Sequence, residues 1–222
     1  NRSQNGATIN GIVEDEIVRD IENLKLQCDC IVVSLHWGAE NIFYPSPKQI
    51  ELAHKLIDRG ARIILGHHPH VVQGIEEYND GLIAYSLGNF QFNPDLSQSP
   101  TNQSLILELT LDNTGVIDYR IFPIIIDDEF IPNIPEEEEQ EKIRQFVIHI
   151  SNIITNGKIT WGWWFEQVGQ EYISGNLKSW IRRIKSYGPK HLLQCVVWLI
   201  SPFTICCYYG IIRKCIRDIT SG

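Results

Sequence analysis

The 222-residue sequence contains no methionine, and its N-terminus lacks the charged and then apolar leader of a secreted protein. These two absences indicate that the sequence is a piece of a longer protein. The sequence also lacks a legible disulfide framework, because Cys28 and Cys30 are too close to bridge easily and the other cysteines cluster near the C-terminus. A disulfide-stapled scaffold is therefore not expected.

Basic residues are scarce in the first two thirds of the chain. Residues 1–150 carry 10 basic and 24 acidic side chains, whereas residues 151–222 carry 9 basic and 3 acidic ones. An acidic body disfavours nucleic acid as a partner, and a basic tail favours an anionic surface near the C-terminus. The length and the 43% hydrophobic content suffice for one main domain with a sizeable core.

The most informative positive feature is the run LGHHPH at residues 65–70, which holds three histidines within four residues. Neutral imidazole is the commonest protein metal ligand, and Pro69 fixes φ between the two outer rings. His36 follows a second apolar strand about thirty residues upstream. Gly38 and Gly66 are expected to let the backbone approach a ligand closely. The pattern predicts a metal site.

Hydrophobic periodicity predicts an α/β fold with parallel neighbouring strands. Ligands of such sheets bind beyond the carboxyl ends of the strands, where His36 and the later histidines would converge. The predicted elements are a helix at 12–27, a strand at 30–35, a helix that ends at Gly60, strands at 62–65 and 82–87, an antiparallel hairpin at 103–126 with its turn at 112–115, and a helix whose first turn is the acidic run 136–141.

Two neighbouring motifs have alternative interpretations. Trp37 and Glu40 either shape a substrate pocket or serve the fold, the indole by packing over the sheet end and the carboxylate by capping the next helix. The run YSLGNF at residues 85–90 either contributes to the same opening or only makes a turn at 88–89. The spacing of these residues does not decide between the alternatives.

Three motifs, SLHWGAE at 34–40, GHHPHVVQ at 66–73 and YSLGNF at 85–90, occur together in this order. Over about residues 12–126 the chain resembles the poly-γ-glutamate capsule biosynthesis family, CapA, of the calcineurin-like metallophosphoesterase superfamily. The resemblance implies part of a layered α/β sandwich, with a mixed sheet and helices. Residues 1–130 would be the C-terminal half of that domain. The sequence beyond it predicts a helical extension at 131–190 and an apolar tail at 191–222, which is a candidate for membrane association.

The resemblance also implies a site for divalent manganese, iron or zinc. Its metal ligands would be His36, His68 and His70; His67 would stand behind them, and Trp37, Glu40, Tyr85 and Asn89 would be pocket residues. The superfamily's first aspartate motif, bridging aspartate and Asn-His pair do not precede His36. We therefore expect an incomplete site that binds metal weakly, because a bridging carboxylate is missing.

The implied function is capsule biosynthesis on an anionic polymer or another cell-surface substrate, either by hydrolysis or as an accessory to polymer synthesis and export. One alternative is a non-catalytic polymer-binding or membrane scaffold protein. Another is that the chain is an inactive, truncated fragment.

The uncharged run 192–212 is long enough to span a bilayer, and basic residues flank both of its ends. A spanning or membrane-lying segment competes with a buried helix, since Pro202 lies in the centre of the run. The basic residues between 178 and 190 favour the cytoplasmic side, whereas the family resemblance favours the extracytoplasmic face. A short helix lying on anionic lipid would remove this conflict.

Overall fold

The computed structural model describes residues 11–90, 102–112 and 115–220. The chain divides into two compact units, unit 1 up to Thr155 and unit 2 from Asn156. The predicted domain boundaries near residues 130 and 190 stay a prediction. The predicted turn at 112–115 includes residues 113–114, which lie outside the described part of the chain.

Unit 1 contains the helices α1 (Glu14–Leu24), α2 (Pro47–Asp58) and α3 (Glu137–Thr155). α2 begins at a capping box. The backbone N–H of Gln49 donates to the Ser46 hydroxyl, and the backbone N–H of Ser46 donates to Gln49 Oε1. Gly60, at φ 116°, follows the end of this helix, as predicted. The acidic run begins α3, which confirms its prediction as a helix N-terminus.

The first sheet consists of β1 (Val32–His36), β2 (Ile63–His67), β3 (Ile75–Tyr78) and β4 (Gly81–Ala84). Its order is β1-β2-β4-β3, with β1, β2 and β4 parallel and β3 antiparallel to β4. The α/β class and the parallel pairing of the first two strands are therefore confirmed. The register of β1 and β2 places His36 opposite His67 at the carboxyl ends of both strands.

The second sheet contains β5 (Gln103–Asp112), β6 (Gly115–Ile126) and β7 (Pro132–Asn133). β5 and β6 form the predicted antiparallel hairpin, with an irregular register between Thr110 and Leu111. A shared core joins both sheets to α3, and each fully buried aliphatic side chain contributes about 2 kcal/mol. Its buried members are Val72, Ile75, Leu82, Ala84, Leu105, Ile143 and Val147.

Unit 2 consists of α4 (Trp161–Tyr187), α5 (Lys190–Leu199) and α6 (Pro202–Thr220). α4 and α6 pack closely because glycines lie at their contact: a Cβ on Gly169 would lie 2.8 Å from the Cys207 carbonyl oxygen, and one on Gly210 would lie 2.3 Å from that of Phe165. The buried Glu166 carboxylate pairs with two arginines of α6. The buried charge is therefore compensated.

The uncharged run 192–212 is divided between two helices, because α5 ends at Leu199 and Pro202 begins α6. Among the described residues, no single helix is both long and apolar enough to cross a bilayer. α5 and α6 together meet the length and composition required, but they are bent by 54° at the break.

Candidate metal site at the strand ends

The carboxyl ends of β1 and β2 bring the two histidine motifs together. His36 and His67 are paired in the register, and the Trp37 amide donates to the His67 carbonyl at 3.0 Å. The His36 and His68 rings lie 4.5 Å apart, centroid to centroid. The side chains that the sequence singled out at separate strand ends therefore lie side by side.

The loop after β1 adds a carboxylate to the histidines. The backbone N–H of Asn41 donates to the Pro69 carbonyl oxygen at 2.7 Å, and this hydrogen bond connects the loop to the His68–His70 turn. As a result, one ligand atom each from Glu40, His68 and His70 lies within 4.8 Å of the others. His36 is outside this group of three, although its ring lies beside that of His68.

The turn that carries the histidines has an unusual backbone. His68 has φ 97° and His70 has φ 60°, and Asn41 in the facing loop has φ 62°. For a residue other than glycine, such a conformation costs on the order of 1–3 kcal/mol, and it persists only where the surrounding structure enforces it. The fold therefore holds both imidazoles in place at an energetic cost.

Asn89 orients one of these imidazoles. His70 Nδ1 lies 2.7 Å from Asn89 Oδ1, and Asn89 Nδ2 donates to the His70 carbonyl oxygen at 3.3 Å. Since an amide oxygen only accepts, it fixes the proton on Nδ1 and leaves the lone pair on Nε2. Asn89 is itself buried. The structure thus gives this predicted pocket residue a contact with a predicted metal ligand.

Burial lowers the pKa of His68 most, and the neighbouring His36 lowers this pKa further, while Glu40 opposes the shift. The pKa of His67 is lowered by burial and then by His36. Both shifts favour the neutral imidazole. Neutral imidazole is the form that binds metal ions.

The two glycines serve packing. A Cβ on Gly66 would lie 1.9 Å from the Tyr85 carbonyl oxygen and 2.6 Å from Trp37 Nε1. A Cβ on Gly38 would meet the Gln49 side chain at 2.8 Å. Protein atoms occupy the space that the missing side chains leave, so both glycines allow close packing. The approach of their backbone to a ligand stays a prediction.

Trp37 and Tyr85 form a buried layer behind the histidines. Trp37 Nε1 donates to the Tyr85 carbonyl at 3.0 Å, and the two rings stack at 6.1 Å. The Tyr85 hydroxyl donates to Glu76, which also lies 2.9 Å from His54 Nε2. Burial raises the pKa of Tyr85 well above its usual value, and Glu76 raises it further.

Glu76 is the polar residue of this region that the sequence did not reveal. It is only 6% exposed, although it lies beside Glu77 in a short strand whose sequence, IEEY, resembles a solvated edge. Glu76 pairs with Ile83 of the fully buried strand β4. The burial of Glu76 could have been inferred only if β3 had been recognised as a neighbour of β4. His54 on α2 is hydrogen-bonded to this carboxylate.

A cleft of about 580 Å³ lies at the opposite, amino-terminal ends of the strands. Its lining carries charges of both signs from Lys25, Asp29, Asp58, Arg62 and Asp80, and it contains no histidine. Within the described residues, the only group of three metal-binding side chains is the one at the carboxyl ends. The candidate metal ligands among the described residues therefore lie at the histidine end of the sheet.

The first part of the chain is similar to known bacterial proteins. Residues 1–94 match the family model described as bacterial capsule synthesis protein PGA_cap. The chain is 42% identical over 102 residues to the capsule biosynthesis protein CapA of Bacillus anthracis, covering 46% of this chain and 24% of that protein. It is 42% identical over 106 residues to the PGA biosynthesis protein CapA of Bacillus subtilis, covering 48% and 27%.

A more distant similarity reaches Mycobacterium tuberculosis. The chain is 32% identical over 77 residues to a "probable polyglutamine synthesis accessory protein" of that organism, covering 35% of this chain and 20% of that protein. The chain spans about a quarter of the length of the two Bacillus proteins. The resemblance carried by the three motifs is thereby confirmed over part of the chain: residues 1–94 match the model of the bacterial capsule synthesis protein family.

Proposed function

We propose that Glu40, His68 and His70 bind a divalent transition metal ion, with His36 beside them, in a metallophosphoesterase-type site that serves poly-γ-glutamate capsule biosynthesis. The observation that supports this proposal most is that one ligand atom each from Glu40, His68 and His70 lies within 4.8 Å of the others. The two histidines lie on a turn in which both have left-handed backbone. Strain of this kind clusters at functional sites.

The donor set fits such an ion. Two imidazole nitrogens and one carboxylate oxygen suit zinc, manganese and iron. The three metal ligands predicted from the sequence, His36, His68 and His70, would all bind through imidazole nitrogens. Glu40 would add a carboxylate oxygen to this set. A bound ion would supply a Lewis acid for an anionic oxygen and would lower the pKa of a bound water. Asn89 would hold His70 in the tautomer that binds metal.

The substrate class is an anionic polymer or another cell-surface molecule bearing anionic groups. Two of the similar proteins carry names that refer to capsule or PGA biosynthesis. Hydrolysis at an anionic group would use the ion and the exposed Glu40 side of the site. No charged residue other than Glu40 is needed to hold the ion in this proposal.

An accessory role without turnover is the second candidate. Its support is that the described residues contain one group of three metal-binding side chains and no second group beside it, where a two-metal centre needs ligands for both ions. The mycobacterial relative is named as a probable accessory protein. In this case the ion would bind polymer, or stabilise the turn, without catalysing a reaction.

Metal content tests the site itself. The full chain and its His68→Ala/His70→Ala variant are loaded with Zn²⁺ or Mn²⁺, desalted and measured by inductively coupled plasma mass spectrometry. We expect about one bound ion in the parent chain and at least a tenfold loss in the variant. The control is His149→Ala, because His149 is an exposed histidine of α3. Equal metal content in all three chains would refute the site.

Turnover separates the two candidate functions. Metal-loaded full chain is incubated with bis(p-nitrophenyl) phosphate, and the release of p-nitrophenolate is followed. Release that disappears in the His68→Ala/His70→Ala variant would support hydrolysis. Metal binding without any release would favour the accessory role and contradict the hydrolytic one for this chain.

A further inference from the structure

α5 and the first half of α6 expose apolar side chains on the side that faces away from the interior of unit 2. Cys195 on α5, and Thr204, Cys207 and Gly210 on α6, fill the inner side. The outer side, here called the apolar surface, consists of Leu192, Leu193, Val196, Val197, Ile200, Ile205, Tyr209 and Ile212. Helices that are apolar all round normally lie within a large core or in a membrane.

The exposure of this surface is high for aliphatic side chains. Leu193 is 72% exposed and Ile200 is 66% exposed. Contiguous apolar patches of this kind mark a site of interaction with a protein or a membrane. The apolar surface therefore needs a partner.

The charges around the apolar surface indicate which partner. Lys185 lies just before α5, Lys190 is its first residue, and Lys214 follows the apolar part of α6. On α4, Lys178, Arg182 and Lys185 follow one another at helical spacing and, among the described residues, form no ion pair with a carboxylate. Free basic groups at the border of an apolar surface complement anionic lipid headgroups. In a symmetric dimer through this surface, the same positive charges would repel each other.

The dimensions favour lying in the membrane over crossing it. α5 has 10 residues, and the uncharged part of α6 has about the same length. At 1.5 Å per residue, each of these two helical segments is about 15 Å long. With the 54° bend, the break at 200–201 would lie about 7 Å below the line joining the two basic ends. An interfacial helix typically buries its apolar face to about 5–10 Å.

α4 limits the depth further. It packs along α6, with Gly169 against Cys207, and at this level it exposes Gln170, Glu171 and Ser174. If α6 crossed the hydrocarbon core, these polar side chains would enter it too, at a cost of several kcal/mol for the carboxylate. A shallow position leaves them in water.

We propose that unit 2 is a membrane-binding module whose apolar surface inserts into one leaflet of a bilayer rich in anionic phospholipid. Lys178, Lys185 and Lys190 contact the headgroups, while the break between α5 and α6 reaches the upper acyl region. This inference is independent of the metal site, because it rests on unit 2 alone.

Vesicle flotation tests the apolar contact. The full chain is mixed with phosphatidylglycerol-containing vesicles or with pure phosphatidylcholine vesicles, and the fraction that floats is measured. We expect strong binding to the anionic vesicles and at least a tenfold loss of affinity in Leu193→Glu/Val197→Glu. Leu26→Glu is the matched control, since Leu26 is 88% exposed in unit 1 and should leave binding unchanged.

Charge and self-association supply the remaining measurements. Lys178→Gln/Lys185→Gln/Lys190→Gln should weaken binding to anionic vesicles by at least tenfold and leave the circular dichroism spectrum unchanged. Undiminished binding by either variant would overturn the proposal. So would a lipid-free dimer in analytical ultracentrifugation that Leu193→Glu/Val197→Glu dissociates, because a second copy would then cover the apolar surface. His68→Ala/His70→Ala should float like the parent chain.

Discussion

At the scale of single residues, the backbone of the histidine turn distinguishes the candidate site from ordinary surface histidines. A residue other than glycine that has φ 97°, as His68 does, is held in this backbone conformation by its surroundings. Neighbouring hydrogen bonds supply that restraint, since the Pro69 carbonyl accepts from the Asn41 backbone N–H and His70 is hydrogen-bonded to the Asn89 side chain. His68 therefore contributes to the geometry of the site at the expense of local stability.

Replacing His68 by glycine tests this cost. Glycine adopts positive φ without strain but loses about 0.5–1 kcal/mol through its greater freedom in the unfolded chain. Against a strain of roughly 1–3 kcal/mol, we expect metal-free His68→Gly to be as stable as the parent chain or about 1 kcal/mol more stable. Urea denaturation in the presence of a chelator measures this difference.

The control for this substitution is His149→Gly, at an exposed position of α3, where replacing histidine by glycine should cost about 0.5 kcal/mol. If His68→Gly lost as much stability as His149→Gly, the idea of a strained turn would be wrong. The contrast in sign makes the comparison independent of any general effect of removing an imidazole.

The strand-end histidines were predictable because apolar runs identify strands, and parallel strands end at one edge. Their contacts were not. The proximity of Glu40 to His68 depends on the path of a loop that one hydrogen bond from Asn41 fixes. The packing role of Gly66 depends on a carbonyl from a strand that is distant in sequence. Spacing along the chain carries no information about such contacts.

At the scale of secondary-structure elements, Glu76 joins β3 to α2 and to the segment that follows β4. Its carboxylate accepts the Tyr85 hydroxyl at 2.7 Å and lies 2.9 Å from His54 Nε2. A buried carboxylate that loses a donor keeps its desolvation cost, so this network ties the three elements together. Through the Tyr85 carbonyl it also supports Trp37 beside the histidines.

Tyr85→Phe should therefore destabilise unit 1 by about 1–3 kcal/mol, because it removes a donor from a buried carboxylate and adds no new contact. Chemical denaturation followed by circular dichroism gives the difference. Tyr78→Phe serves as the matched substitution, since the Tyr78 hydroxyl donates an exposed, 3.4 Å hydrogen bond to Asp58. Equal effects of the two substitutions would show that the Glu76 network adds no stability.

The break within the C-terminal apolar run illustrates what composition leaves open. Length and hydropathy favoured a segment able to span a membrane, yet Pro202 separates two helices at 54°. Proline lacks the amide donor that a continuous helix needs and is favoured at the first helical position. The sequence contained this signal, but the angle follows only from the packing of both helices against α4.

At the scale of the whole molecule, the charge asymmetry follows the structural division closely. The acidic excess lies almost entirely before Thr155, and the basic excess lies after it. The stretch 156–160 between α3 and α4 has neither helix nor strand, and Lys158 within it is exposed. Exposed, irregular backbone is where proteases cut first.

Limited trypsin digestion should therefore cleave first after Lys158 and give fragments 1–158 and 159–222, identified by mass spectrometry. Lys158→Gln should slow the first cleavage by about tenfold or more, because it removes the trypsin site in this stretch. First cleavage elsewhere, at an unchanged rate in the variant, would contradict a division of the chain at this point.

The register of β1 and β2 has a consequence for how much length variation this chain tolerates. His36 and His67 are paired across two parallel strands, and α2 and its flanking loops run between them. Residues added to the loop after Asn41 would leave Glu40 and the Asn41–Pro69 hydrogen bond in place and would change only the connection to α2. One residue inserted within Val32–His36 or Ile63–His67 would turn one histidine to the other face of the sheet. Insertions should therefore be tolerated in this connection and excluded from the strands that carry the histidines.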